Sequence, residues 1–196
     1  MDDFILYVKE GFYHVMNFNV GAYDHVLFFI LMAVPFLFNS WKKLLGLSLA
    51  FTVGHILSLL LVIYGKVSFN SSYIEFLIVV TIAITALYNI FTAGKRHRDN
   101  HNWITMIFAL FFGLIHGFGF SSGFKMLAAG AESDLLMLLE FALGLELGQL
   151  LIIFVILVLN FIFTGIFRFN KKEWVQIISS IILGMILPLL IVRWIF

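Results

Sequence analysis

Long apolar stretches separated by short polar connectors run through most of the chain. Six of them, at 22–38, 44–64, 73–91, 103–120, 135–163 and 174–195, come close to or exceed the roughly 20 residues an α-helix needs to cross a bilayer. Helices are required, because lipid satisfies no open backbone group and the runs are too long for barrel strands. The connectors are short and hold Asn39, Ser40, Trp41, Lys42 and Lys43, then residues 95–101, then Phe169, Asn170, Lys171, Lys172 and Glu173. Pro188 in the last stretch predicts a kink or an end there. Residues 4–16 carry Lys9 and Glu10 among aromatics; too short and too charged to span, they predict a helix lying in the interface. The expected fold is an all-α integral membrane bundle of six spans with a short N-terminal interfacial helix, in one transmembrane domain over residues 1–196. No linker or low-complexity tract interrupts it, and the start Met-Asp-Asp, with no basic region, does not predict a cleaved signal peptide.

Composition agrees. Of 196 residues, 62% are hydrophobic and 12% charged, far from the balance of a soluble domain. A net charge of +1 argues against nucleic acid as a partner. Cysteine is absent, which excludes disulfides, thiolate metal sites and cysteine nucleophiles. No Gly-x-x-x-x-Gly-Lys loop occurs, so no nucleotide is expected. Basic residues set the orientation. The connectors after the first, third and fifth stretches hold Lys42, Lys43, Lys95, Arg96, Arg98, Arg168, Lys171 and Lys172, while the opposite side holds Lys9, Lys66, Lys125 and Arg193. The richer side is expected in the cytoplasm, with both termini outside. Lys171 and Lys172 then anchor a helix end against anionic lipid, and Arg96, His97, Arg98 and His101 read as a solvated loop, with metal sensing by His97 and His101 the sharper alternative.

In that orientation several ionisable residues acquire a depth. Asp24 and His25 open the first span. His55 lies roughly 16 Å and His116 roughly 20 Å from the cytoplasmic ends of their helices, at 1.5 Å per residue. Glu75 opens the third span, and Glu140 and Glu146 lie in the fifth. Burying such groups in a bilayer costs several kcal/mol each unless they are paired, hydrated or bound to an ion. Imidazole with carboxylate is the ligand chemistry of a divalent transition metal such as nickel, cobalt, zinc or iron. Each histidine would offer one ring nitrogen, the other being held by a neighbour such as Asp24, Thr52 or Glu146. The plain alternative is a histidine that hydrogen-bonds between helices. Glu146 and Gln149 share a helix face, whereas Glu140 projects elsewhere and ranks below Glu146. Gly54, Gly113, Gly117, Gly144 and Gly148 cluster beside these residues, and close helix contact explains them as well as any site does.

The motifs Tyr23-Asp24-His25-Val26-Leu27-Phe28, Phe51-Thr52-Val53-Gly54-His55, Gly113-Leu114-Ile115-His116-Gly117-Phe118-Gly119-Phe120 and Gly144-Leu145-Glu146-Leu147-Gly148-Gln149 together resemble the HupE/UreJ membrane proteins. Glu75 and Asn89 also resemble positions of that family. The resemblance covers most of the chain from about Gly11 to Gln149, in order and on separate helices. It implies a bacterial inner-membrane protein of the group regarded as nickel or cobalt permeases. Ile56 stands where the family often has serine, and Ala142 where it commonly has asparagine. Both changes remove oxygen donors, which leaves the choice of metal open.

Three functions follow. In the first, a divalent-ion permease captures an ion with Asp24, His25 and His14 and passes it to His55, His116 and Glu146. Glu75 and Glu146 exchange protons, and Thr52, Asn89 and Gln149 support the site or path. A homo-oligomer or a larger membrane assembly suits so small a chain. The second is a metal-dependent intramembrane hydrolase, with zinc on His25, His55 and His116 and Glu146 or Glu75 as base. The third is a structural subunit of a larger complex, with polar groups that only bond across helices. A serine nucleophile at Ser58 is weaker than all three.

Overall fold

The computed structural model describes residues 2–18, 23–65, 67, 69–95, 102–129 and 133–194, with the side chains of residues 2 and 102 excepted. Its order is α1 (Asp2–Val15), α2 (Asp24–Ala33), a 3-10 turn (Phe38–Ser40), α3 (Trp41–Ile63), α4 (Ser71–Thr92), α5 (Asn102–Gly119), α6 (Ser121–Ala128), α7 (Asp134–Asn160) extended by a π-helical turn (Phe161–Ile166), and α8 (Lys171–Val192). The described residues contain no strand. Four helical stretches are long and apolar enough to cross a membrane: Phe38–Ile63, Ser71–Thr92, Asp134–Ile166 and Lys171–Val192. A fifth is the bent pair Trp103–Gly119 and Ser121–Ala128, which turns by 64° at its break.

The first apolar stretch differs most from expectation. It is helical over only 10 residues, about 15 Å at 1.5 Å per residue, against the 22–38 span read from hydropathy. Pro35 is the cause: it offers no backbone N–H to the Leu31 carbonyl one turn earlier, so the ladder stops although Val34 keeps helical torsion angles. The carbonyls freed at this end receive a side chain instead. Asn160 Nδ2 donates to Phe36 O at 2.8 Å, to Val34 O at 3.2 Å and to Ala33 O at 3.4 Å, while Asn160 Oδ1 accepts from Trp174 Nε1 at 2.7 Å.

The N-terminal helix α1, expected at the interface, is packed against the bundle. It stands beside the first half of α7, held by glycine on both sides: a side chain at Gly11 would strike the Phe141 carbonyl, and one at Gly144 the Val8 carbonyl. Gly148 faces Val15 further along. Because Asn160 at the far end of α7 holds the end of α2, the two short helices line successive halves of α7. The expected interfacial helix and the helical part of the expected first span thus pack on the same helix, α7.

Glycine also sets the α3–α5 pair. A Cβ at Gly54 would overlap the Leu110 carbonyl, one at Gly113 the Phe51 carbonyl, and one at Gly117 the Ser58 hydroxyl. Backbone meets backbone, as small residues permit in helices surrounded by lipid. In α8 the proline did not end the helix, which continues through Pro188 to Val192. Asn70 and Asn170 cap α4 and α8, accepting from Ser72 N at 3.0 Å and Lys172 N at 2.9 Å.

Gly54→Ala should lower stability by about 2 kcal/mol or more, since even a methyl group meets a rigid carbonyl. Gly184→Ala should be neutral or stabilising, because its added Cβ meets nothing within 4 Å and alanine favours helix. Thermal unfolding of both variants in detergent checks this; equal melting temperatures would contradict the packing described.

Candidate functional site

The break between α1 and α2 brings histidines together. His14 sits one residue before the end of α1, and His25 is the second residue of α2. His55 follows Gly54 on α3 and His116 precedes Gly117 on α5, so the glycine contacts that join these helices also fix both imidazoles. Ring centroids of His14 and His25 are 4.7 Å apart, of His14 and His55 5.4 Å, of His25 and His55 5.6 Å, and of His25 and His116 5.0 Å. One ligand nitrogen from each of His14, His25 and His55 lies within 4.8 Å of the others. Phe51, Phe120 and Phe141 pack against the rings.

The cluster is buried, and five of its ring nitrogens have no hydrogen-bond partner in the protein. His55 has no exposed surface and neither ring nitrogen is hydrogen-bonded. Nε2 of His14, His25 and His116 is likewise buried without a partner. His116 Nδ1 lies 2.8 Å from the Phe112 carbonyl, so it carries the proton and Nε2 keeps a free lone pair. The neighbour that orients this ring is therefore a backbone carbonyl one turn earlier on α5. A buried polar atom left without a partner costs on the order of 1–3 kcal/mol, and here several converge on one point.

The other singled-out residues form separate groups. One turn before His55, Thr52 Oγ1 donates to Glu146 Oε2 at 2.7 Å and accepts from Gln149 Nε2 at 3.0 Å, while Ser48 Oγ donates to Gln149 Oε1 at 2.7 Å. Thr52 thus holds the glutamate and not a histidine; Glu146 Oε1 remains buried without a partner. Asp24 turns away from its neighbour His25 to Arg193, whose Nη1 is 3.2 Å from Asp24 Oδ2. The same guanidinium stands 3.8 Å from Glu75 Oε2, so Asp24 and Glu75 form an acidic pair around one arginine. Asn89 Nδ2 donates to the Leu31 carbonyl at 2.8 Å and ties α4 to α2. Ser58 Oγ donates to the His55 carbonyl at 2.6 Å, not to an imidazole. His97 and His101 lie outside the described residues.

Sequence reading missed Ser48, Asn160 and the inward role of Arg193. A lone serine or asparagine inside an apolar helix carries little signal of its own. Asn160 had one, however: it is the last residue of a 27-residue helix that is otherwise apolar after Gln149.

An all-helical membrane protein with a buried polyhistidine centre between its helices is the class these features define. The chain belongs to the HupE/UreJ family: the family model described as HupE / UreJ protein matches residues 1–194. No curated protein and no solved structure matches it.

Arg193→Met should destabilise the protein by about 3 kcal/mol, since it leaves a largely buried carboxylate unpaired. Combining it with Asp24→Asn should recover part of that loss. A double-mutant cycle by thermal unfolding checks the coupling; strictly additive losses would mean the ion pair is idle.

Proposed function

We propose that this protein is a permease for a divalent transition-metal ion, nickel- or cobalt-like, and that the ion is its substrate. The carrying observation is the set of buried, unpartnered imidazole nitrogens from four separate helices. Tetrahedral coordination with bonds of about 2.1 Å needs donors about 3.4 Å apart. His14, His25 and His55, already within 4.8 Å, reach that spacing through side-chain adjustment. His116, beside His25, is the fourth donor. Glu146, held through Oε2 by Thr52 one turn before His55 and with Oε1 unpartnered, is the next acceptor along the path and a proton exchanger that weakens binding on release. Asp24 and Glu75, joined through Arg193, form the outer approach.

The site lies where α1 gives way to α2. Discontinuous helices at mid-membrane recur in transporters, because interrupted backbone is tolerated where it lines a binding site. Taken together, α1 and α2 span about 36 Å of helix at 1.5 Å per residue, enough for the roughly 30 Å hydrocarbon core. Counted as one broken crossing, they complete six with α3, α4, the α5–α6 pair, α7 and α8. The lysine-rich connectors face the cytoplasm and both termini lie outside, in a bacterial inner membrane. The whole chain acts as one transmembrane domain.

The hydrolase reading has less support. Catalytic zinc keeps an open position for water, whereas four histidines close the set, and Glu75 is engaged by Arg193.

The purified protein should bind about one nickel, cobalt or zinc ion per chain, and His55→Ala should weaken binding at least tenfold while the protein remains monodisperse. Proteoliposomes should take up the bound metal, and the variant should not. Tight zinc that resists chelators, with no flux, would favour the hydrolase. Metal binding unchanged in His55→Ala would overturn the site.

A further inference from the structure

At the end of the bundle where α2 stops, a second site is built from different chemistry. A cavity of about 470 Å³ lies between the 35–43 connector, the end of α4 and the start of α8. Lys43, Lys95, Lys171 and Lys172 line it, with Ser40, Asn89, Thr92 and Asn170, and among the described residues no carboxylate does. The salt bridges among the described residues all belong to Arg193, far from this end of α8, so the four ammonium groups form no ion pair with a described carboxylate. The backbone makes room for them. Gly94 has φ +81°, and the Lys172 side chain lies across it, with Cδ 3.0 Å from where a Cβ would stand. Asn170 caps α8 here, so the positive end of a 22-residue helix adds to the field.

An apolar groove begins where the lysine cavity ends. Val34 and Trp174 line the groove, and the residues that follow them in sequence, Pro35 and Val175, line the cavity. The groove has a volume of about 560 Å³ and runs between α2, α7 and α8 up to Phe18 and Tyr23. It follows the length of α2, about 15 Å, which is half of a hydrocarbon core of about 30 Å. A basic cavity at a helix end, continued by an apolar groove one leaflet deep, matches a molecule with an anionic head and a single-leaflet tail.

We propose that this composite site binds an anionic phospholipid, its phosphate among Lys43, Lys95, Lys171 and Lys172 and one acyl chain along α2. The lysines do more than anchor a helix end to the general membrane charge: three segments of chain converge on one headgroup. The lipid also fills the space beside α2 left by the shortness of that helix. This site is independent of the histidine centre and stands or falls separately from it.

Native mass spectrometry of the detergent-solubilised full chain, titrated with palmitoyl-oleoyl phosphatidylglycerol, phosphatidylcholine of the same chains, or inorganic phosphate, tests it. Phosphatidylglycerol should bind at least tenfold more tightly than phosphatidylcholine. Lys43→Gln/Lys171→Gln should reduce that affinity about tenfold, at roughly 1 kcal/mol per lysine. Lys9→Gln/Lys125→Gln, which removes the same charge elsewhere, should leave it unchanged. Ile178→Trp, which fills the groove, should weaken lipid binding while the lysines remain. Equal binding of the two lipids would overturn the proposal, as would equal effects of the two lysine pairs. Inorganic phosphate that displaces the lipid at millimolar concentration and is unaffected by Ile178→Trp would identify a free-anion site instead.

Discussion

Direct contact between helix backbones is the constraint on which the rest of this structure rests. In lipid, apolar side chains gain little by leaving one hydrocarbon environment for another, so association depends on close fit. Gly54, Gly113 and Gly117 bring α3 and α5 into contact over several turns, and Gly11 and Gly144 do the same for α1 and α7. Each glycine lies next to, or one turn from, a residue of the polar interior: Gly54 beside His55, Gly117 beside His116, Gly11 one turn before His14, Gly144 two residues before Glu146. The contacts that exclude lipid from the bundle are the contacts that position its buried polar side chains.

A second constraint is the satisfaction of backbone groups where helices break. Pro35 ends α2 inside the bundle, and carbonyls there would be stranded without water. Asn160 from α7 and Asn89 from α4 supply the missing donors. Both asparagines are nearly fully buried, and both spend their amide N–H groups on α2. At the other end of α2 no such repair is made for the imidazoles. These asparagines are paired, whereas five imidazole nitrogens from His14, His25, His55 and His116 are buried without a partner, as are single oxygens of Asp24, Glu146 and Ser179.

The sequence revealed the helical character of the chain, its family and the residue types of its interior, because these depend on hydropathy, on motif spacing and on the cost of charge in lipid. Local geometry was less legible. A hydropathy window sees residues 22–38 as one apolar run and cannot weigh a single proline against it. Residues 4–16 read as a short interfacial helix, and the pattern held no sign that Gly11 and Gly144 dock it onto α7. Asp24 looked like a partner of His25 because the two are adjacent in sequence, yet successive positions on a helix point about 100° apart. Its actual partner, Arg193, is 169 residues away, a pairing that no local pattern contains.

That pairing bears on how the molecule is made. Helices reach the membrane in chain order, and α2, with Asp24 at its head, is among the first. Its counter-charge arrives only with Arg193, just after α8. Until α8 docks, the carboxylate lacks that partner and the head of α2 is not tied to the bundle there. The arginine thus works as a latch on assembly, closing the head of α2 once α8 is in place.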